Sequence, residues 1–403
     1  MTASATTAAS TTATGVQLRA VTRETDAPGD APGDVLDALG AQGVAWLHDG
    51  AEFATAGVAA TVRAEDAVAL LASIEHDDDP NLPGAGPRAV GSLPFDPTAE
   101  AELVIPTRVV GRTGDGRSWI TEIGVTPRDQ PARHVSPSRF TVTAMSDRLA
   151  WRRAVTDALV AIDRGDLVKV VLARAVAVEA DTAFDPRSVL SHLRKQQPGC
   201  FIYAADGMVG ASPELLVARY GDRVVSRPMA GTAVPGDGAL ERLAASPKDA
   251  REHRLVVEAI LGVLTPLCTR VDAASEPEVD EFADVAHLAT PIHGTLRAPV
   301  PDALTLARAL HPTPAIAGTP TAAALAAIQR LEPHDRGRYS GPVGWVDARG
   351  DGEWAIALRG AALDGTRAVL HAGAGIVAGS DPELEWAETE AKLDPMLRAL
   401  VRP

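Results

Sequence analysis

Cysteine is nearly absent. Cys200 and Cys268 are the only two in 403 residues, lie far apart and form no CxxC pair. That argues against a disulfide framework and a thiolate zinc site, and makes a reducing cytoplasm the expected location. No uninterrupted apolar run reaches the ~18 residues a membrane-spanning helix needs, so no membrane partner is expected. Positive charge is scarce as well: 38 Lys and Arg face 53 Asp and Glu, a formal net charge of −15. A nucleic-acid surface needs clustered Lys and Arg to neutralise phosphates, so no nucleic-acid partner is expected either. An anionic small substrate stays compatible, because it needs only a local positive site or a bound metal. The common nucleotide and hydrolase signatures are missing: GxxxxGK[ST], GxGxxG after a strand, HExxH and GxSxG. The glycines of HAGAGIVAG (371–379) have the wrong spacing for a dinucleotide fingerprint, and His287 and His293 lack helical metal-ligand spacing.

What is present begins with a low-complexity start. The first 16 residues are nearly all Thr, Ala and Ser, which reads as a poor signal peptide, and residues 26–34 repeat Pro, Gly and Asp. Residues 1–35 are therefore expected to form a mostly disordered arm, with residues 36–403 as the folded part of the chain. Beyond the arm, β-type runs are expected at 44–50, 102–112 and 138–145, with an Ala-rich helical stretch at 65–75. A helix is expected at 147–164 and a Val-rich strand at 167–180. A strand pair follows at 200–228, with Tyr220-Gly221-Asp222 suited to a hairpin turn. The helix expected at 246–265 has a Ser246 N-cap, Pro247 at its first position and Asp249 where a capping-box acid would sit. Strands at 342–348, 353–362 and 367–373 precede a last helix from about Ser380 to Val401. Strands and helices mix without regular βαβ alternation, which favours α+β over a doubly wound sheet.

Several charged residues stand out from this frame. Glu385, Glu388 and Lys392 are spaced three and four apart and share one face of the last helix, while Trp386, Leu393 and Leu397 share another. Spacing alone fits an ordinary solvated face. The same carboxylates also suit Mg²⁺, which takes one or two from a protein and keeps waters, and Glu252 with Asp249 could oppose them. Lys169 sits among valines in LVKVVLAR, where burial would lower its pKa toward a general base. Glu214 in ASPELL and Arg359 in WAIALRGA are an acid at a strand start and a charge within an apolar strand. Taken singly, each has an ordinary surface explanation.

Together, these segments resemble the chorismate-utilising enzymes. The resemblance runs from about residue 140 to the C-terminus, with weaker echoes at 46–57 and 91–96. It is carried in order by KVVLAR (169–174), GASPELL (210–216), RPMAGT (227–232), SPKDAREH (246–253) and HLATPIHGTL (287–296). It continues through LHPTPAIAGTP (310–320), RGRYSGPVGW (336–345), GEWAIALRGA (352–361) and AGAGIVAGSDPELEWAETEAK (372–392). The resemblance implies one large α+β domain of two facing antiparallel sheets, with helices outside and the active site in a cleft between halves. It implies an isomerase that converts chorismate to isochorismate with Mg²⁺, with a downstream isochorismatase as consumer of the product. Lys169 would be the base that activates water for attack at C2, and Glu214 the acid that protonates the departing C4 hydroxyl. Glu252 and Glu388 would hold Mg²⁺, with Glu385 and Asp249 acting through its waters. Arg359, Tyr339, Lys392 and the backbone N–H groups of Gly373, Ala374 and Gly375 would grip carboxylates, and Thr232, His287 and Ala315 would also face the pocket.

Within the family, Lys169 points to water rather than ammonia as nucleophile. Ala315, where salicylate synthases tend to carry Thr, favours release of isochorismate in a siderophore-type pathway that feeds 2,3-dihydroxybenzoate synthesis. Tyr339 points instead toward salicylate synthase, which goes on to eliminate pyruvate. A catalytically silent or amidotransferase-partnered chorismate-binding subunit is the remaining alternative.

Overall fold

The computed structural model describes residues 18–25, 33–48, 51–77, 82, 84–124, 136–233, 236, 238–283 and 285–401. Its strands form three sheets of 13, 9 and 3 strands. Every recorded strand pairing is antiparallel except that of Arg19–Glu24 with Glu75–Asp77. The two expected sheets are there, and the three-stranded one is an addition to them.

The largest sheet has two long neighbours, Lys169–Ala180 and Arg367–Ile376, lying side by side near one edge. It continues outward through Gly360–Asp364, Met208–Ser212 and Phe201–Ala205 to the hairpin Ala45–His48/Ala51–Ala56. The nine-stranded sheet is built round Leu215–Tyr220, Gly352–Ile356 and Pro342–Asp347. The two face each other across an aromatic seam. The Trp46 indole donates to Glu353 Oε2 at 2.7 Å, and Phe53 meets Trp345 edge-on at 6.2 Å. Arg88, only 1% exposed, lies in the same seam with its guanidinium 4.5 Å from the Phe53 ring, 5.0 Å from Trp119 and 4.7 Å from Trp345.

Helices cover the outside. Arg148–Asp163, capped by the Asp147 side chain, and Pro382–Val401 pack together through Trp151 and Trp386. Pro247–Leu264 starts as its sequence indicates: Ser246 Oγ accepts from the Asp249 N–H, and Pro247 stands at the first turn. The 215–227 hairpin turns at Gly221-Asp222. Apolar clusters line one face of the large sheet, with Val170, Leu172 and Ala374 in one and Val176, Val178, Leu370 and Leu393 in another, while Trp46, Phe53, Tyr203 and Trp345 fill the space between the two large sheets.

Three sequence expectations need correction. The arm does not reach residue 35: Arg19–Glu24 is a strand paired with Ser118–Ile123, and Asp34 caps a 3₁₀ turn at Val35–Ala38. Much of the rest of that segment lies outside the described residues. The 102–112 run is two strands, Glu102–Ile105 and Arg108–Arg112, in different sheets; Pro106 has no N–H with which to continue a ladder. The 353–362 run also splits, into Gly352–Ile356 and Gly360–Asp364. Arg359 is therefore not a strand residue. It sits at φ +46° where the chain leaves one sheet for the other.

Candidate active site

Two strands change sheets side by side, and each carries a predicted site residue at the crossing. Met208–Ser212 belongs to the large sheet and Leu215–Tyr220 to the nine-stranded one, with Glu214 between them. Arg359 occupies the equivalent step from Gly352–Ile356 to Gly360–Asp364. The crossings are stitched together: the Ala211 N–H donates to Arg359 O at 3.2 Å, and the Ile356 N–H to Glu214 O at 3.1 Å. A departing strand pair leaves a gap that the side chains at the step can enter.

That gap is a cavity of about 230 Å³. It brings together Glu214, Thr232, Asp249, Glu252, His287, Ala315, Tyr339, Arg359, Gly373, Gly375, Glu385, Glu388 and Lys392. Lys169 lies just behind the wall, 1% exposed, with Nζ 2.7 Å from Glu252 Oε1. Ala374 is the exception. Its side chain is fully buried in the core on the opposite face, as alternation along a strand requires. Its backbone is committed as well. The Val171 N–H donates to Ala317 O and the Ala173 N–H to Glu332 Oε1, both away from the Arg367–Ile376 strand. The doubly bonded antiparallel pair is then Leu172 with Ala374. Gly373 and Gly375 keep their N–H groups on the free, cavity-side edge.

Those two glycines also keep the floor bare. A Cβ at Gly375 would stand 2.7 Å from Glu252 Oε1 and 3.1 Å from Lys169 Cε, and one at Gly373 would stand 3.4 Å from the Tyr339 hydroxyl. The Tyr339 ring in turn stacks on His371 at 5.2 Å.

Glu214 is buried, and the loss of water pushes its pKa from 4.5 up to about 7. The Met229 N–H (3.5 Å from Oε1) and the charges of Lys169, Lys392 and Arg359 oppose the rise without cancelling it. Four other acids crowd the opposite wall. Burial raises Asp249 and Glu385, and the negative charges of Glu252 and Glu388 raise both further. Burial would raise Glu252 too, but Lys169 outweighs it and holds the carboxyl below its ordinary range. Lysines stand against three of these acids: Lys169 on Glu252, Lys392 on Glu388 at 2.6 Å and Lys248 near Glu385 at 3.5 Å. Lys392 Nζ also donates to Gly373 O at 3.1 Å.

His287 is locked in one form. Its Nδ1 lies 2.9 Å from Gly231 O, which can only accept, so Nδ1 carries the proton and Nε2 accepts from Arg359 at 2.8 Å. Burial, then the Arg359 and Lys392 charges, hold its pKa well below the ordinary range. Thr232 Oγ1 is 3.4 Å from the same Nδ1.

Met229, Lys248, Ser340 and His371 line the cavity without having been singled out in the sequence. Two of them had a signal. Lys248 is one helical turn before Glu252, and His371 shares the strand face of Gly373 and Gly375.

Hard oxygen donors that repel one another suit a divalent cation of the magnesium type, which needs few protein ligands. Among the described residues no three such donors converge on one point.

A family profile described as chorismate binding enzyme matches residues 51–401. The putative isochorismate synthase MenF of Mycobacterium tuberculosis is 40% identical over 376 residues, covering 89% of this chain and 98% of that protein. Among solved structures, the putative 2,3-dihydroxybenzoate-specific isochorismate synthase DhbC from Bacillus anthracis matches with TM-score 0.79 and 33% identity, covering 91% of this chain and 98% of its own. MenF, the menaquinone-specific isochorismate synthase from Escherichia coli, matches with TM-score 0.80 and 27% identity, covering 96% and 95%.

Proposed function

Because the chain belongs to the chorismate-binding enzymes, we propose that it is an isomerase converting chorismate to isochorismate, with Lys169 and Glu214 as its acid–base pair. The observation that carries the assignment of roles is the buried Glu214, with its pKa raised to about 7, lining the same cavity as Glu252, the partner of the buried Lys169. Isomerisation adds water at C2 and expels hydroxide from C4. Hydroxide leaves only if it is protonated, which needs an acid still holding its proton near neutrality. Glu214 meets that need because its carboxyl is desolvated. Water attacks only if it loses a proton, and Lys169 can take that proton only as the neutral amine, after its ammonium has given up a proton and its pairing with Glu252.

Substrate carboxylates are held by Arg359, Lys392 and the free N–H groups of Gly373 and Gly375, with Tyr339 and Ala315 shaping the wall. Glu252 and Glu388, with Glu385 and Asp249 through waters, are the residues that would hold Mg²⁺. That ion, when bound, would neutralise the ring carboxylate and orient it. The proposal extends to a siderophore-type role feeding 2,3-dihydroxybenzoate synthesis, supported by Ala315 and by the likeness to the B. anthracis protein. It places the enzyme in the cytoplasm, in keeping with Cys200 and Cys268 as buried free thiols.

Purified protein with chorismate and Mg²⁺ is expected to give isochorismate without ammonium salt, and none when EDTA is added. Salicylate with pyruvate at a comparable rate would move the assignment to a salicylate synthase. No product under any condition would leave a silent or partner-dependent subunit.

The bare floor gives a second expectation. In Gly375→Ala the new methyl must displace Glu252 Oε1 or the Lys169 stem, and displacements of this size cost up to about 100-fold in turnover. Steady-state kinetics beside a thermal melt would show a large loss in kcat/KM with little change in Tm. Unchanged kinetics would mean the floor has room to spare.

A further inference from the structure

The glycine floor of the cavity ends at His371. His371, Gly373 and Gly375 alternate along Arg367–Ile376 and share one face of that strand, and the Tyr339 ring lies over the first two of them. Its face stacks on the His371 imidazole, with centroids 5.2 Å apart and planes 18° apart. Its hydroxyl sits above Gly373, 3.4 Å from where a Cβ there would stand. Tyr339 is only 5% exposed and arrives from another segment, just before Ser340 at φ +66°, whose N–H is tied to Ala357 O at 2.9 Å. That backbone delivers the ring to the strand, where Gly373 offers it no side chain to rest on. The imidazole is the surface that does. His371 lines the cavity, yet neither the acid–base chemistry nor the cation site calls for it.

We infer that His371 is a positioning residue for substrate binding: its ring face sets the plane of Tyr339 and so places the Tyr339 hydroxyl beside the free Gly373 N–H, two donors for one substrate carboxylate. The inference rests on the proposed reading of this cavity as the chorismate site. Burial pushes the Tyr339 pKa up, so the hydroxyl keeps the proton it would donate. Two observations make the face of the imidazole, rather than its nitrogens, the part that acts. Its Nε2 is buried with no hydrogen-bond partner among the described residues. Burial, then the Arg336 and His334 charges, lower its pKa to about 4, so near neutrality the ring is uncharged. Two neutral rings in offset contact are a favourable pair.

His371→Ala is expected to raise KM for chorismate roughly three- to tenfold, the loss of one stacked pair, with kcat within about twofold. His371→Phe, which keeps a ring face without nitrogens, is expected to hold KM within about twofold of wild type. His371→Gln, which keeps polarity without a ring, is expected to behave like the Ala variant. In a Tyr339→Leu background, where no ring is left to set, His371→Ala should add little. Wild-type KM in both His371→Ala and His371→Gln would overturn the inference. So would retention by Gln with loss in Phe, which would make the nitrogens the acting part. An undiminished effect in the Tyr339→Leu background would overturn it as well, since His371 would then act without the ring. A wild-type protein that makes no isochorismate would instead overturn the underlying functional reading, and this inference with it.

Discussion

Glu214→Gln is expected to lower kcat by roughly 10²- to 10⁴-fold and, above neutral pH, to make the protein more stable. Both effects have one cause. The carboxyl is buried, and desolvation carries its pKa from 4.5 to about 7. An acid poised there delivers a proton at neutrality, and an amide of the same shape cannot. Wild-type turnover should accordingly fall as pH rises through about 7. For stability the sign runs against the usual carboxylate. The folded pKa lies above the unfolded one, so the folded state holds the proton more tightly. Stability from this group is fully present below pH 4.5 and is lost progressively as pH climbs to 7 and beyond. The full loss is worth about 3 kcal/mol, and it disappears when the group cannot ionise. Melts of wild type and Glu214→Gln should coincide near pH 4.5 and separate by pH 8, with the variant higher. Parallel melting curves across that range would mean Glu214 is not held neutral by burial.

Lys169→Ala is expected to reduce isochorismate formation by roughly 10²- to 10⁴-fold as well, but with the opposite effect on stability. Its Nζ is the near partner of the Glu252 carboxylate at 2.7 Å, and removing one member of a buried pair leaves the other charge uncompensated. Fully buried pairs lose about 3–5 kcal/mol in this way. Glu252 opens onto the cavity, its side chain 12% exposed, so water can enter and the loss should fall at the low end. The protein should still fold. The double variant Lys169→Met/Glu252→Gln should recover stability over Lys169→Met while remaining inactive. Circular dichroism melts beside a product assay separate the two effects. Normal turnover in Lys169→Ala would remove the proposed base, and no recovery in the double variant would mean the pair is not a stabilising unit.

The sequence reveals elements where local chemistry decides them. Ser246-Pro247 marks the start of Pro247–Leu264, and the Gly221-Asp222 turn closes its hairpin, because caps and turns are settled by a few adjacent residues. Lys169 shows where local reading stops. Nothing in LVKVV separates a surface lysine from one 1% exposed, and its partner Glu252 is far away in sequence. Arg359 is harder still, since neither a positive φ at a non-glycine residue nor a change of sheet leaves a mark in WAIALRGA. The family motifs nevertheless assembled the pocket, because their order preserves contacts that periodicity cannot express. Ala374 was a different kind of miss: alternation in HAGAG already separates residue 374 from residues 373 and 375.

Every described residue of the cavity wall lies at or beyond Val171, with Lys169 immediately behind it. Residues 18–124, where described, supply strands to both large sheets and, through Arg88, Phe53 and Trp119, much of the seam between them. The molecule thus separates its girders from its reagents along the chain. Injury to the early stretch should appear as heat lability in an enzyme of ordinary selectivity, and injury to the later stretch as altered chemistry in a sturdy one.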